Sequence, residues 1–317
     1  MTSKKANWLF LTIILVHIGT VLFLLFGGEN ITIDITANFL VSESILMVPA
    51  LLFLIIFGRK GSRSTGACGN IKTESIMFRR VKISTLLMTM LCTLLIMPLV
   101  TVLNALTMFF TDNAVAALQG DILDTPFPIM LFMIGIFGPF CEEFVFRGIM
   151  YRSYRKNAGV GAVLLSAFTF GLMHMNFNQA LYAFGIGVFL AFLVEAAGSL
   201  WASICCHMFF NSCQVVLMYL SGRLLNSVYG QAVSEKAQEI TTQDLLAVLS
   251  VYLVIASVTT PIAICVIAWI VKNEGRQEAV KEMLTSKRRA ASGYLLSVPL
   301  ILAVVLCLGY MSLELFL

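Results

Sequence analysis

The sequence predicts an all-α, polytopic transmembrane helix bundle, and three observations carry the prediction. Of 317 residues, 59% are hydrophobic and 12% charged, with mean hydropathy +0.92, which is more apolar than a soluble core requires. The apolar residues come in long runs without period-two alternation. In lipid, where backbone polar groups have to be paired internally, such runs form helices. The charged residues, finally, segregate between alternate loops.

Nine runs have spanning length, at about 7–27, 38–58, 83–110, 127–150, 159–177, 179–197, 200–220, 244–271 and 292–315, with eight as the alternative count. The first follows Lys4 and Lys5. It is longer than a signal-peptide core and no small-x-small cleavage site follows, so an uncleaved anchor is expected. Lys4 and Lys5, the cluster Arg59, Lys60, Arg63, Lys72, Arg79, Arg80 and Lys82, then Arg152, Arg155 and Lys156, and finally Lys272, Arg276, Lys281, Lys287, Arg288 and Arg289 fall on one side of a nine-span arrangement. The opposite loops hold Arg223 and Lys236 with Glu29, Asp34, Asp112, Asp121 and Asp124. Basic residues stay cytoplasmic, so the N-terminus is expected there and the C-terminus outside. These loops account for the net charge of +4, and no nucleic-acid partner is expected.

Three connections stand out. Residues 59–82 are basic and rich in Gly and Ser, which suggests a mobile cytoplasmic segment. Residues 221–243 read as a polar external loop with room for a short helix. Lys272 to Arg289 is charged with mixed sign and is expected to continue the eighth span as a cytoplasmic helix. The eight cysteines show no C-x-x-C metal spacing. Seven sit in apolar spans and Cys68 in a reducing cytoplasmic loop, so no disulfide is expected.

The chemistry concentrates in residues 136–215 of the chain. Carboxylates in lipid are costly, yet Glu142 and Glu143 stand side by side in GPFCEEFVFRG. Glu143 and Arg147 are four residues apart, Glu first, the favourable order for a helical ion pair. Glu142, about 100° around the helix, has no easy access to that arginine. A carboxylate without a fixed cation in an apolar site suits a general base. His207 and Asn211 share one helix face and together can hold a water, a metal or an oxyanion. His174 ends the apolar run FTFGLMH, where a lone histidine is more often structural. His17, in the first span, is read as packing. There is no H-E-x-x-H motif, no G-x-S-x-G elbow and no pair of aspartates within the spans. A glutamate, two histidines and an asparagine remain, and they point to water activated by a carboxylate, with or without a metal.

These residues resemble the CAAX-protease and bacteriocin-processing (CPBP, or Abi) family of intramembrane endopeptidases. Its EExxxR motif stands as Glu142-Glu143 to Arg147, its FxxxH motif as Phe170 to His174 and its HxxxN motif as His207 to Asn211, with FRG and GSLWASI as matching flanks. Where such proteins often carry a basic residue before GSLW, this chain has Glu195. It is expected to be solvated at the end of span six, with substrate selection as the sharper alternative.

The topology predicts a single membrane domain over 1–317, and the resemblance places its catalytic core at 127–220. The resemblance implies an endopeptidase of the cell membrane that acts on peptides or membrane-anchored proteins, in CAAX-type, signal-peptide or bacteriocin-related processing. Glu142 would deprotonate the water, Glu143 would hold Arg147, His174 would position the water, and His207 with Asn211 would stabilise the oxyanion. If a divalent metal such as zinc is bound, His174, His207 and Glu142 are its implied ligands. The rival readings are a non-catalytic scaffold or immunity protein and a proton-coupled transporter. At ~1.5 Å per residue Glu142 and His207 reach similar depths, but His174 comes out ~21 Å from the cytoplasmic start of its span, too far out. A later helix start, tilt or a depressed surface would each repair this.

Overall fold

The computed structural model describes residues 1–27, 33–58, 78–229, 241–285 and 295–314, and among them every regular element is helical. Ten helices carry the architecture: α1 (Ser3–Phe26), α2 (Ile35–Gly58), α3 (Ile83–Thr107), α4 (Phe127–Arg155), α5 (Val160–Met173), α6 (Phe177–Ala197), α7 (Leu200–Tyr229), α8 (Thr242–Asn273), α9 (Gln277–Thr285) and α10 (Val298–Glu314). Two short turns of helix, Ala114–Ala117 and Gln119–Asp124, lead into α4. Among the described residues seven helices are long and apolar enough to cross a membrane, whereas Val160–Met173 and Val298–Leu313 are shorter. The protein is a multi-pass, all-helical membrane protein, and each expected apolar run has its helix.

Helix α4 occupies the middle of the bundle, packed on α2, α5 and α7. Helix α3 lies along α8 and also meets α6 and α7, while α1 packs on α2 and α10. Prolines Pro49, Pro98 and Pro261 sit inside α2, α3 and α8. In lipid a helix tolerates them because neighbouring helices and local adjustments take up the freed backbone groups. Buried polar side chains join helices distant in sequence. Asn7 on α1 donates to the Leu295 carbonyl at 2.8 Å and accepts from the Tyr154 hydroxyl at 2.8 Å.

Two connections differ from expectation. The chain after α8 does not run on as one helix: Gly275, at φ +66°, reverses it, and α9 returns to bury Ala279 and Met283 against the bundle. The turn needs that glycine, because a β-carbon disfavours positive φ. Polar residues 221–229 extend α7 instead of forming a loop, while 230–240 lie outside the described residues. The expected mobile loop also lies outside them, apart from 78–82. The seven described cysteines are free, and His17 stacks edge-on to Tyr310, as a packing residue would.

Helix α5 is 14 residues, about 21 Å, against a hydrocarbon core of about 30 Å. It ends at His174, and Met175 then takes φ +53°, a left-handed conformation uncommon for a side chain of that kind. Asn176 caps α6 by accepting from the Gln179 N–H at 3.2 Å. His174 thus stands at the end of a short helix, just before a tight reversal into α6.

Candidate active site

Helix α4 departs from regular α geometry on both sides of the paired carboxylates. Residues Leu131–Phe137 and Phe144–Tyr151 are π-helical, and only Gly138–Glu143 between them is α-helical. Such wider turns concentrate at functional sites, because they loosen the backbone ladder and rotate the side chains that follow. Two loosened carbonyls are taken by α7. Asn211 Nδ2 donates to Ile134 O at 3.1 Å, and Ser212 Oγ donates to Gly135 O at 3.3 Å. The expected oxyanion donor Asn211 therefore already clamps α7 to α4, with one amide hydrogen left over.

The adjacent glutamates have unequal surroundings. Glu143 and Arg147 have fully buried side chains and pair at 2.7 Å between Oε1 and Nη1. The Glu142 side chain keeps 16% of its surface exposed. His207 bridges them, with Nδ1 3.1 Å from Glu143 Oε1 and Nε2 3.6 Å from Glu142 Oε2. Because Glu143 is held as a carboxylate by Arg147, the Nδ1–H of His207 donates to it, which aims Nε2 at Glu142. A separation of 3.6 Å exceeds a hydrogen bond.

His174 joins through Phe170. Its Nδ1–H donates to the Phe170 carbonyl at 2.9 Å, which leaves Nε2 as the acceptor nitrogen of the neutral ring. Its ring meets the Phe170 ring edge-on at 5.1 Å, and the His207 ring meets the same ring at 5.9 Å. All six expected site residues thus lie in one neighbourhood, although Asn211 faces the α4 backbone.

As placed, the donors are not gathered to hold a metal ion. Among the described residues no three His, Cys, Asp or Glu side chains are placed to hold one. One nitrogen of each histidine is already engaged, by Glu143 and by the Phe170 carbonyl. Each ring keeps its Nε2, the nitrogen a metal-binding histidine uses when its other N–H is held by a carboxylate or a carbonyl.

Glu195 is corrected outright. It is 7% exposed, not solvated. Its Oε1 accepts from Tyr151 Oη at 2.7 Å and from Arg155 Nε at 3.0 Å, and Oε2 faces Arg276 Nη2 at 3.7 Å. Arginines from α4 and from the α8–α9 turn are what bury it, and neither was visible as a partner in the sequence. A residue that sequence reasoning missed is Glu43. On α2 it approaches α4 where Gly138 lacks a side chain: Glu43 Oε1 is 3.1 Å from the position a β-carbon there would take. It also bonds the Cys141 side chain, and its Oε2 is shielded from solvent. The signal available was a single acidic residue inside an otherwise apolar span.

Comparison with known proteins finds relatives of the segment that carries this site. Residues 124–213 match the model of the type II CAAX prenyl endopeptidase Rce1-like family. The putative membrane peptidase YdiL of Bacillus subtilis (strain 168) is 31% identical over 91 residues, which cover 28% of this chain and 37% of that protein. The membrane-embedded CAAX protease MroQ of Staphylococcus aureus (strain USA300) is 30% identical over 112 residues, 33% of this chain and 45% of that protein. The chain therefore spans less than half the length of these curated relatives. No solved structure matches. The segment that carries Glu142, Glu143, Arg147, His174, His207 and Asn211 is thus the part of the chain that is similar to these membrane peptidases.

Proposed function

We propose that this protein is an intramembrane endopeptidase that hydrolyses peptide bonds of membrane-associated proteins or peptides, in CAAX-type, signal-peptide or bacteriocin-related processing. One observation carries the reading. His207 stands between a sealed carboxylate, Glu143, and a partly open one, Glu142, at 3.1 and 3.6 Å. A structural ion pair needs only Glu143 and Arg147. The second carboxylate and the bridging imidazole have no such need.

In the proposed reaction a water at the open side of Glu142 loses its proton to that carboxylate as its oxygen bonds to the scissile carbonyl carbon. The acceptor Nε2 of His174 orients the water. The spare amide hydrogen of Asn211, and His207 in its imidazolium form with Nε2 protonated, stabilise the oxyanion. When the carbon–nitrogen bond breaks, Glu142 returns the proton to the leaving amine. Glu143 and Arg147 act through His207. The basic loops place the N-terminus in the cytoplasm, and the whole chain acts as one membrane domain with 127–220 as its core.

The test is to incubate the purified protein in liposomes with a tagged membrane proteome, comparing wild type with Glu142→Gln, and to sequence the new termini. Termini that form with wild type alone support the reading. Equal cleavage by the variant, at unchanged Tm, overturns it.

A further inference from the structure

Phe170, 2% exposed, meets Arg147, His174 and His207. The Arg147 guanidinium carbon lies 4.2 Å from its ring centroid. The His174 and His207 rings stand against it at 90° and 84°. Arg147 makes one hydrogen bond with its fork, Nη1 to Glu143. Its Nε and Nη2 are buried with no acceptor among the described residues. Buried N–H groups without acceptors are costly. The electron-rich face of a desolvated ring is the surface that offsets this, and the attraction between a cation and that face is strongest without water. Gly187 on α6 leaves the guanidinium its space: a β-carbon there would lie 3.2 Å from Arg147 Nη2.

We infer that Phe170 is a positioning residue whose ring face fixes Arg147 and whose contacts with both imidazoles hold that cation in register with His174 and His207. Arg147 fixes Glu143, Glu143 fixes His207 Nδ1, and Nε2 is thereby aimed at Glu142. The ring is the common reference of groups on α4, α5 and α7. The inference deepens the protease reading and rests on it for its kinetic part.

Mono-, di- and trifluorophenylalanine at position 170 test it, because fluorine drains the ring face while nearly preserving its shape. The same series at Phe10, buried on α1, is the control. Tm should fall stepwise with each fluorine at 170 and stay level at Phe10. kcat should fall with it, on the order of 30-fold over the series, with KM within about twofold. A ring that merely fills space gives a flat or rising Tm and a level kcat, and that result overturns the inference. If Tm falls stepwise while kcat stays level, the ring binds the cation but positions nothing, and the positioning role is overturned. If Tm falls and wild type cleaves no substrate, the cation contact stands, and the positioning role falls together with the protease reading.

Discussion

Around the turn from α6 to α7 the buried charges are fully paired. Glu195 receives Tyr151, Arg155 and Arg276. Glu274 receives the Lys82 N–H at 3.1 Å and the Thr85 hydroxyl at 2.6 Å on one oxygen, and Arg79 at 2.8 Å on the other. Arg79 also donates to Ala197 O, Ser199 donates back to Arg79 O, and Arg276 donates to Glu195 O. At the centre of α4, by contrast, Glu143 Oε2, Arg147 Nε and Arg147 Nη2 are buried without hydrogen-bond partners among the described residues. Glu142 meets His207 only at 3.6 Å. The first cluster has the finish of a structural joint, which fastens the α6–α7 hairpin to α4, α8 and α9. The second has capacity left over: its guanidinium rests on the Phe170 ring instead of a second acceptor, and Glu142 alone is partly open. Buried polar groups are paired as a rule, so unpaired ones ask for a functional reason.

Breaking the second cluster should give the largest kinetic effect. Glu142→Gln is expected to reduce cleavage by about 10²–10⁴-fold, the range of a general base, with Tm unchanged. Proteolysis and unfolding measured on one preparation check both halves. Arg147→Met should cost stability instead, about 3–5 kcal/mol, because Glu143 becomes a lone buried charge. Adding Glu143→Gln should recover most of that stability without recovering activity. A double variant as unstable as the single would mean that the pair contributes through something other than charge.

The first cluster should answer differently. Glu195→Gln keeps the hydrogen bond from Tyr151 but strips the counter-charge from Arg155 and Arg276. A fall in stability of about 2–4 kcal/mol is expected, with kcat per folded molecule unaltered. A kcat change at full folding would move Glu195 into the working site. The smallest effect concerns Glu274. Burial pushes its carboxyl up, but the Thr85 hydroxyl, the Lys82 N–H and Arg79 outweigh it, and the group sits below the ordinary carboxylate value. A lowered folded value means that its stabilisation is present above the usual carboxylate pKa and is lost as pH falls through the folded one. Glu274→Gln should therefore flatten the acid side of the Tm against pH curve, and an unchanged slope would show that the joint does not sense this proton.

How far the sequence reached differs between the two clusters. The ion pair of Glu143 and Arg147 was legible because both partners lie on one helix, four residues apart, and local periodicity places them together. His207 facing the glutamates was legible only through the order of the three motifs. Glu195 was misread because its partners come from Tyr151, Arg155 and Arg276, and no local pattern connects 151, 195 and 276. Glu43 was passed over for the same reason, since only the packing of α2 on Gly138 brings it to the site. The helix after α8 was taken too far because a single glycine at φ +66° decides the reversal.

By itself the sequence determined that this is a helical membrane protein, because in lipid the apolar length and internal pairing of each segment are local properties. It also singled out the six candidate residues for a similar reason, since polar groups in such segments are few. The tertiary structure alone decided which glutamate is sealed and which is open, where Asn211 donates and how Phe170 joins three helices. Those outcomes depend on which faces of distant helices meet, and packing between helices is set by shape and by a handful of polar contacts, not by the composition of any one segment.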